Sequence, residues 1–261
     1  MRGAENDTRD EVKRRFGSAA EKYVESKDHA QGESLDRLIE LAAPQPSWRV
    51  LDVATGGGHT ALAAAPLVRE VVATDLTAPM LQAAERFVRS RGAANVAFQE
   101  ADAGALPFPD ASFDLVTCRI APHHFPDVAA FVRESARVAR PGGLVAVIDN
   151  IVPEDAEAAA YINAWEKLRD PSHNRALTEP EWRRLFEAAG LERVRVERFR
   201  KPRDFTSWIG RMSVDPDTAA RVRAMLLAAP GEARAWLRPE EEEGTLRFYL
   251  EEILILGFRP A

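Results

Sequence analysis

Residues 50–65 read VLDVATGGGHTALAAA, an apolar strand that ends in three consecutive glycines and continues as an alanine-rich helix. Glycines at such a turn let the backbone approach a ligand closely, and the start of the next helix presents N–H donors. A tight strand-to-helix turn without a ligand has the same composition, so the glycines alone are a weak signal. The segments that follow along the chain have to identify the ligand.

Alternating strand and helix patterns follow this turn. The further strand patterns are EVVATDL (70–76), NVAFQEAD (95–102), FDLVTCRI (113–120) and GLVAVIDNI (143–151). This alternation predicts parallel strands joined by crossover helices. Two later patterns, ERVRVERFR (192–200) and YLEEILILGFR (249–259), predict a closing antiparallel pair. We predict an α/β fold with a doubly wound, seven-stranded Rossmann-like sheet, mostly parallel with one antiparallel strand.

Helical material flanks the sheet on both sides along the chain. Residues 1–44 are predicted to form an N-terminal helical cap, and residues 45–202 with 246–261 the ligand-binding core. Residues 203–245 form a helical insertion, and insertions of this length in a compact domain tend to be lids over a substrate site. Thr178 with Glu181 three residues later predicts a capping box. The run EEEE at 240–243 is predicted to be a solvated helix face.

The composition narrows the classes of protein and of partner. The chain has 261 residues, with 41 acidic and 35 basic side chains and a net charge of −6, which indicates no nucleic-acid or anionic-membrane surface. Cys118 is the single cysteine, so an internal disulfide and a cysteine-built zinc site are excluded, and we predict no metal. Neither a signal peptide nor a membrane span is recognisable, so we expect a cytoplasmic protein.

Acidic residues stand where the predicted strands end, which is where ligands bind in open α/β sheets. Asp75 lies about 20 positions after the glycine turn, a spacing that suits a carboxylate accepting from both ribose hydroxyls of NAD or another adenosine ligand. An N-cap aspartate is the alternative at this position. Asp102, at the end of the third strand, has a carboxylate able to accept from an adenine amino group. The three strand ends together favour an adenosine ligand.

Three stretches in this order resemble the class I S-adenosylmethionine-dependent methyltransferases. They are VLDVATGGGHTALAAA, VVATDLTAPMLQAA and the run from QEADAGALPFPDASFDLV to RVARPGGLVAVID. The chain is most similar to the bacterial small-molecule branch related to the ubiquinone and menaquinone C-methyltransferases. The resemblance is strong over residues 45–150. LPFPDASFDLV and RVARPGG are its most specific parts, since a dehydrogenase has no reason to contain them.

This resemblance implies S-adenosyl-L-methionine as the cofactor and S-adenosyl-L-homocysteine as its product. Asp75 falls on the ribose-binding acid with Leu76 beside the adenine, and Asp102 with Ala103 falls on the adenine-binding pair. The methionine part is assigned to Asp52, Ala54, Thr55, Gly56 and Gly58, and the segment lining the donor to Arg119 and Ile120. Ala54 departs from the family, because many members have a glycine there; we expect cofactor binding to survive.

The implied reaction transfers a methyl group to a small-molecule acceptor, with C- or O-methylation favoured, by in-line displacement. A general base is needed only when the nucleophile arrives protonated. His123 and His124 in RIAPHHFPD are the first candidate bases, although capping the loop and packing beneath it explain them equally well. His29 is a further candidate base. Tyr23 and His173 are predicted to contact the acceptor.

The sequence leaves two other functional classes of protein as alternatives. A non-catalytic protein that binds the cofactor would keep the same glycines and strand-end acids. A nucleic-acid methyltransferase is disfavoured, because RIAPHH replaces the Asn/Asp-Pro-Pro-aromatic segment of the exocyclic-amine enzymes. We therefore expect a small-molecule partner, no nucleic acid and no membrane, and either a monomer or a homodimer.

Overall fold

The computed structural model describes residues 32–212 and 214–261. Its centre is one sheet in the strand order β3-β2-β1-β4-β5-β8-β6, with β7 paired to β8. The parallel strands come first along the chain: β1 (Arg49–Val53), β2 (Glu70–Asp75), β3 (Val96–Glu100), β4 (Phe113–Arg119) and β5 (Ala139–Ile151). The order reverses between β1 and β4, so the predicted doubly wound α/β topology is confirmed.

Helices cover both faces of the parallel strands. One face carries α1 (Glu33–Ala42), α2 (His59–Ala64) and α3 (Ala78–Ser90), whose apolar residues join those of the strands in one core. The other face carries α4 (Val128–Val138) and α6 (Glu179–Ala188) around a second core. The parallel strands are buried on both sides, as their nearly continuous apolar composition requires.

The last two long strands close the sheet. They are β6 (Glu192–Asp204) and β8 (Thr245–Phe258), and β8 runs antiparallel to both β5 and β6. The prediction of one antiparallel strand is therefore confirmed. An eighth strand, β7 (Glu240–Glu242), pairs with β8, so the predicted helix face in the glutamate run is wrong, although these residues are solvent-exposed. Pairing with β8 outweighs the helix preference of glutamate.

A separate helical layer lies beside the antiparallel end of the sheet. It comprises α5 (Ala156–Arg169), α7 (Phe205–Gly210), α8 (Pro216–Leu227) and α9 (Gly231–Leu237), which enclose a third core. Trp165 and Trp208 stack at its centre with ring centroids 4.6 Å apart. Burying each such side chain contributes roughly 1.5–3 kcal/mol. Helices α7 to α9 lie within the range predicted for the insertion, and its role as a lid remains a proposal.

Local signals account for several helix boundaries. Thr178 and Glu181 form the predicted capping box at the start of α6. Asp127 and Asp155 cap α4 and α5 by accepting from the backbone N–H three residues later. Within the described residues, no helix is long and apolar enough to cross a membrane.

Candidate active site

A cleft with about 1340 Å³ of empty volume, its open mouth included, lies beyond the carboxyl ends of β1 to β4. Two groups of residues line it. We call the first the glycine wall: Asp52, Ala54–Gly57, His59, Thr60, Asp75, Leu76, Met80 and 101–104. We call the second the histidine wall: Arg119–Ala121, His124–Asp127 and Ala130. The switch point between β1 and β4 thus lies at the base of the cleft, where open α/β sheets bind ligands.

The turn after β1 depends on left-handed backbone at three positions. Gly56 and Gly58 have φ values of 54° and 82°, and Ala54 has a φ of 52°. A Cβ on Gly58 would lie 2.8 Å from Cγ2 of Val88 in α3, so this glycine provides close packing between helices. Gly58 is the one predicted cofactor residue in the described chain that does not line the cleft.

Asp52 is 1% exposed at the base of the glycine wall. Its carboxylate accepts hydrogen bonds from the hydroxyls of Thr55, at 2.6 Å, and Thr117, at 2.8 Å. Burial raises the pKa of Asp52 to about 6, because the two hydroxyls stabilise the charged form only in part. At neutral pH the carboxylate is therefore mostly ionised.

Asp75 ties the glycine turn to the start of α3. One carboxylate oxygen accepts from the N–H of Gly56 at 3.1 Å, and the other accepts from the N–H and hydroxyl of Thr77, both at 3.2 Å. Burial raises the pKa of Asp75, and these hydrogen bonds oppose the shift. Thr77, not Asp75, is the N-cap residue of α3. Asp75 therefore occupies the cleft rather than the helix cap.

The end of β3 supplies the remaining acid of the glycine wall. Asp102 accepts from the N–H of Gly104 at 2.9 Å, which closes a short turn. The N–H of Ala101 donates to the carbonyl of Asp75 at 3.0 Å. The ends of β2 and β3 are thereby held side by side, and Leu76 and Ala103 lie with them in the cleft lining.

The histidine wall begins at the end of β4. The side chain of Arg119 donates to the hydroxyl of Thr60 at 3.3 Å across the cleft base. Burial lowers the pKa of Arg119, and a guanidinium still keeps its charge. Ile120 follows with a φ of 53°, an uncommon conformation for a β-branched residue. A one-turn 3-10 helix, Pro122–His124, then carries the two histidines.

Three histidines from two segments pack together beside this wall. The ring centroids of His123 and His124 are 4.1 Å apart, and those of His123 and His173 are 5.5 Å apart. Nδ1 of His123 lies 2.6 Å from a carboxylate oxygen of Asp149. Burial opposes protonation of His123, but the charge of Asp149 and this hydrogen bond outweigh burial and raise its pKa. His123 therefore favours the imidazolium form.

The two neighbouring histidines favour the neutral form. Burial, followed by repulsion from His123, lowers the pKa of His124 to about 3 and that of His173 to about 2. Nδ1 of His124 lies 3.0 Å from the carbonyl of Ser172, and Nε2 of His173 lies 2.8 Å from Oδ1 of Asn163. The ring of His123, whose charged form Asp149 stabilises, thus lies between two rings that favour the neutral form.

The predicted site residues separate into three groups. Every described residue predicted to bind cofactor lines the cleft except Gly58, and His59 also lies there, packed edge to face against Phe87. Of the histidines predicted to act on the acceptor, His124 lines the cleft, whereas His123 and His173 are buried in the cluster and do not. His29 and Tyr23 lie outside the described residues.

The far part of the histidine wall and the partner of His123 were not predicted from the sequence. Phe125, Pro126 and Asp127 line the cleft and directly follow the predicted histidines. Asp149 is 1% exposed near the end of β5. The strand-end rule that selected Asp75 applies equally to Asp149 and could have found it.

Comparison with known proteins identifies the family of the chain. Residues 51–147 match the family model described as a methyltransferase domain. The chain is 38% identical over 246 residues to the uncharacterized methyltransferase YcgJ of Bacillus subtilis, covering 94% of this chain and 97% of YcgJ. The chain belongs to the class I S-adenosylmethionine-dependent methyltransferases. The predicted family is thereby confirmed.

Two further similarities are to a solved structure and to an enzyme with a named substrate. The crystal structure of YcgJ superposes with a TM-score of 0.84 at 38% identity, covering 87% of this chain and 98% of that one. The demethylmenaquinone methyltransferase of Thermus thermophilus is 42% identical over 115 residues, which is 43% of this chain and 52% of that enzyme. The similarity to the quinone enzyme thus covers less than half of this chain.

Proposed function

We propose that the cleft binds S-adenosylmethionine and that the enzyme transfers its methyl group to a small-molecule acceptor, with C- or O-methylation favoured. The charge of the cleft carries this proposal. Among the described residues that line it, four are aspartates (Asp52, Asp75, Asp102 and Asp127) and one is an arginine, Arg119. Such a lining attracts a sulfonium and an ammonium group and repels the pyrophosphate of a dinucleotide.

The residues of the glycine wall suit the parts of this cofactor. We assign the carboxylate of Asp75 to the ribose hydroxyls and Asp102 with Ala103 to the adenine, because all three residues line the cleft. Asp52, ionised at neutral pH, and Arg119 provide opposite charges near the glycine turn for the ammonium and carboxylate of the methionine part. The acceptors and charges present in the cleft therefore match the ligand's donors and charges.

When bound, S-adenosylmethionine supplies an electrophilic methyl group on a positively charged sulfur. The bond from methyl carbon to sulfur breaks, sulfur keeps the electron pair, and the acceptor's nucleophile forms the new bond to carbon. The protein contributes by holding the acceptor in line with the methyl group and by keeping water away. Phe125 and Ala121 give the histidine wall apolar surface for the second task.

His124 is placed to contact the acceptor, and its electrostatics favour orientation over proton removal. A general base works best when its pKa is near the working pH. The pKa of His124 is about 3, so its ring takes up a proton poorly at neutral pH. We infer that His124 accepts a hydrogen bond from the acceptor and that an acceptor proton leaves to solvent.

Charge and similarity support a small molecule as the acceptor. The net charge of −6 disfavours nucleic acid, which binds through neutralisation of its phosphates. The similarity over 115 residues to the Thermus thermophilus demethylmenaquinone methyltransferase supports a small-molecule acceptor.

The test combines isotope-labelled S-adenosylmethionine with a fractionated metabolite extract. We expect label in one small-molecule product by mass spectrometry, with an equal amount of S-adenosylhomocysteine, and less of both with Asp75→Ala at limiting S-adenosylmethionine. A parallel reaction contains total RNA and DNA. Label in the nucleic acid would overturn the small-molecule assignment. Calorimetric binding of S-adenosylmethionine without any transfer would instead favour the non-catalytic binding protein.

A further inference from the structure

A buried ion pair lies beside the cleft wall and is not part of it. Asp149 and His123 are 1% and 7% exposed, and their interacting atoms are 2.6 Å apart. A contact this short between imidazole and carboxylate is typical of a charge-assisted hydrogen bond, in which the protonated ring donates. Because two imidazolium rings 4.1 Å apart would repel, a proton on His123 disfavours one on His124.

The tautomer of His124 is set from the opposite side. Its Nδ1 lies 3.0 Å from the carbonyl oxygen of Ser172, which can only accept, so Nδ1 carries the proton. Asp170 in turn fixes Ser172 by accepting from its N–H at 3.0 Å and from its hydroxyl at 2.5 Å. The N–H groups of Asn174 and Arg175 donate to the carbonyl of His123, which ties the two segments together. Nε2 of His124 is therefore the nitrogen that accepts hydrogen bonds.

The charged groups around the histidines leave His123 as the favoured site for the proton. Glu166 and Asp170 at the α5 end raise the pKa of His123. Asp170 also raises the pKa of His124, but burial, His123 and Arg169 together outweigh it. Lys167 and Arg169 add positive charge toward His173. The proton of His173 is placed on Nε2, because Oδ1 of Asn163 also accepts from the N–H of Ala176.

We propose that Asp149 and His123 are positioning residues that hold His124 neutral, while the carbonyl of Ser172 keeps its proton on Nδ1, so that any group contacting Nε2 has to donate a hydrogen. This rests on the proposed function in one respect, the identity of the group that meets Nε2. The acceptor class then narrows to molecules with a hydroxyl or amine hydrogen near the methylated atom. An acceptor that presents only an anionic oxygen to His124 is excluded.

Nitrogen-15 NMR of the five histidine side chains in the wild-type protein tests the proposal without any acceptor. We expect His123 to show the imidazolium pattern at neutral pH. His124 should show the neutral Nδ1–H pattern even at about pH 5.5, where an unperturbed imidazole is mostly charged. A neutral His123 at neutral pH, or an Nε2–H tautomer of His124, would overturn the proposal without any variant.

Asp149→Asn removes the charge and preserves the shape. We expect the titration midpoint of His123 to fall and that of His124 to rise, each by at least about one pH unit. Asp114→Asn is the matched control, because Asp114 is equally a buried acid of the sheet but lies at the start of β4 beside Arg49 and Arg140. Unchanged midpoints in Asp149→Asn, or the same shifts in both variants, contradict the proposal.

His123→Gln provides a second variant in case Asp149→Asn does not fold. Gln can still donate to Asp149 but carries no charge, so the midpoint of His124 should rise as it does in Asp149→Asn. Calorimetric titration of S-adenosylmethionine into the same samples tests the proposed function separately. Absent binding with the expected NMR pattern would contradict only the proposed function, and normal binding with the wrong pattern would contradict only this inference.

Discussion

The two walls of the cleft are built by different means. In the glycine wall, backbone N–H groups and threonine hydroxyls satisfy the acids mostly over short sequence distances, as where Asp75 accepts from Thr77. The exceptions are Gly56, which donates to Asp75, and Thr117, which donates to Asp52. Behind the histidine wall, groups from three distant segments meet. Asp149 of β5 contacts His123 of the β4 loop, and the carbonyl of Ser172 after α5 contacts His124. The first wall is specified by local sequence, and the second by tertiary packing and buried charge.

This difference implies different responses to mutation. A substitution in the glycine wall changes the backbone conformation of a turn or removes a ligand contact directly. A substitution in the histidine wall changes protonation states and orientations across several residues, because buried charges interact strongly at low effective dielectric. Stability and cofactor affinity should therefore report on the first wall, and pH dependence on the second.

The largest expected effect is the loss of stability in Gly58→Ala. A side chain at φ 82° costs about 1–2 kcal/mol, and the 2.8 Å contact with Val88 adds roughly 1–3 kcal/mol. Gly92→Ala is the matched control, because Gly92 has a φ of 83° with nothing within 4 Å of its Cβ position. Urea denaturation measures both free energies of unfolding. Equal losses in the two variants would show that helix packing does not require the glycine.

The next effect concerns cofactor affinity. Asp75→Ala should weaken S-adenosylmethionine binding by roughly 1–3 kcal/mol, because hydrogen bonds to a charged group are lost. His124→Gln, from the other wall, should change this affinity by less and reduce turnover by more. Isothermal titration calorimetry and product formation measure the two quantities. An unchanged affinity in Asp75→Ala would refute its assignment to the ribose.

The same difference explains how far sequence reasoning reached. The glycine wall was predictable because residues at the carboxyl ends of consecutive parallel strands meet by topology alone. Asp52, Asp75 and Asp102 each follow a recognisable strand pattern, and the structure brings all three to the cleft. The fold itself followed from the alternation of strand and helix patterns.

The histidine cluster could not be predicted in the same way. His123 and His173 are 50 positions apart, and no periodic pattern links the β4 loop to the segment after α5. Hydrophobic periodicity also says nothing about which ring nitrogen a carboxylate or a carbonyl will meet. The helices of the helical layer were predicted from their sequence patterns. Strand β7 was not predicted, because its three glutamates have low strand preference and adopt the strand conformation by pairing with β8.

The third prediction uses pH to separate the walls. The pKa of His173 is lowered from its usual value of 6.5 to about 2 in the folded protein. At a pH below 6.5 the unfolded chain therefore binds a proton at His173 that the folded protein does not. The free energy of unfolding therefore falls as the pH falls through that range. His173→Gln should remove about 1.4 kcal/mol of this loss between about pH 7.5 and about pH 5.5.

Asp52 acts in the opposite direction within the same range. Its pKa is raised to about 6, so the folded protein binds the extra proton and gains stability as the pH falls. The two effects partly cancel in the wild type, and the difference between wild type and variant isolates His173. Urea midpoints at both pH values provide that difference. If His173→Gln leaves the change in unfolding free energy between the two pH values unaltered, the ring takes up its proton in the folded state as well.

The smallest expected effect is at Ala54, where the chain departs from its family. Ala54 has a φ of 52°, which is strained for a residue with a side chain. Ala54→Gly should relieve this strain and stabilise the fold by about 0.5–1 kcal/mol. The greater conformational entropy of glycine in the unfolded chain offsets part of this gain. Ala111→Gly, at φ 57° and away from the cleft, should give a similar gain. Because the N–H of Thr55 donates to the carbonyl of Thr74 at 2.7 Å, the turn is held without the methyl group. Affinity for S-adenosylmethionine should therefore stay unchanged by calorimetry, and weaker binding in Ala54→Gly alone would mean that the methyl group itself contacts the ligand.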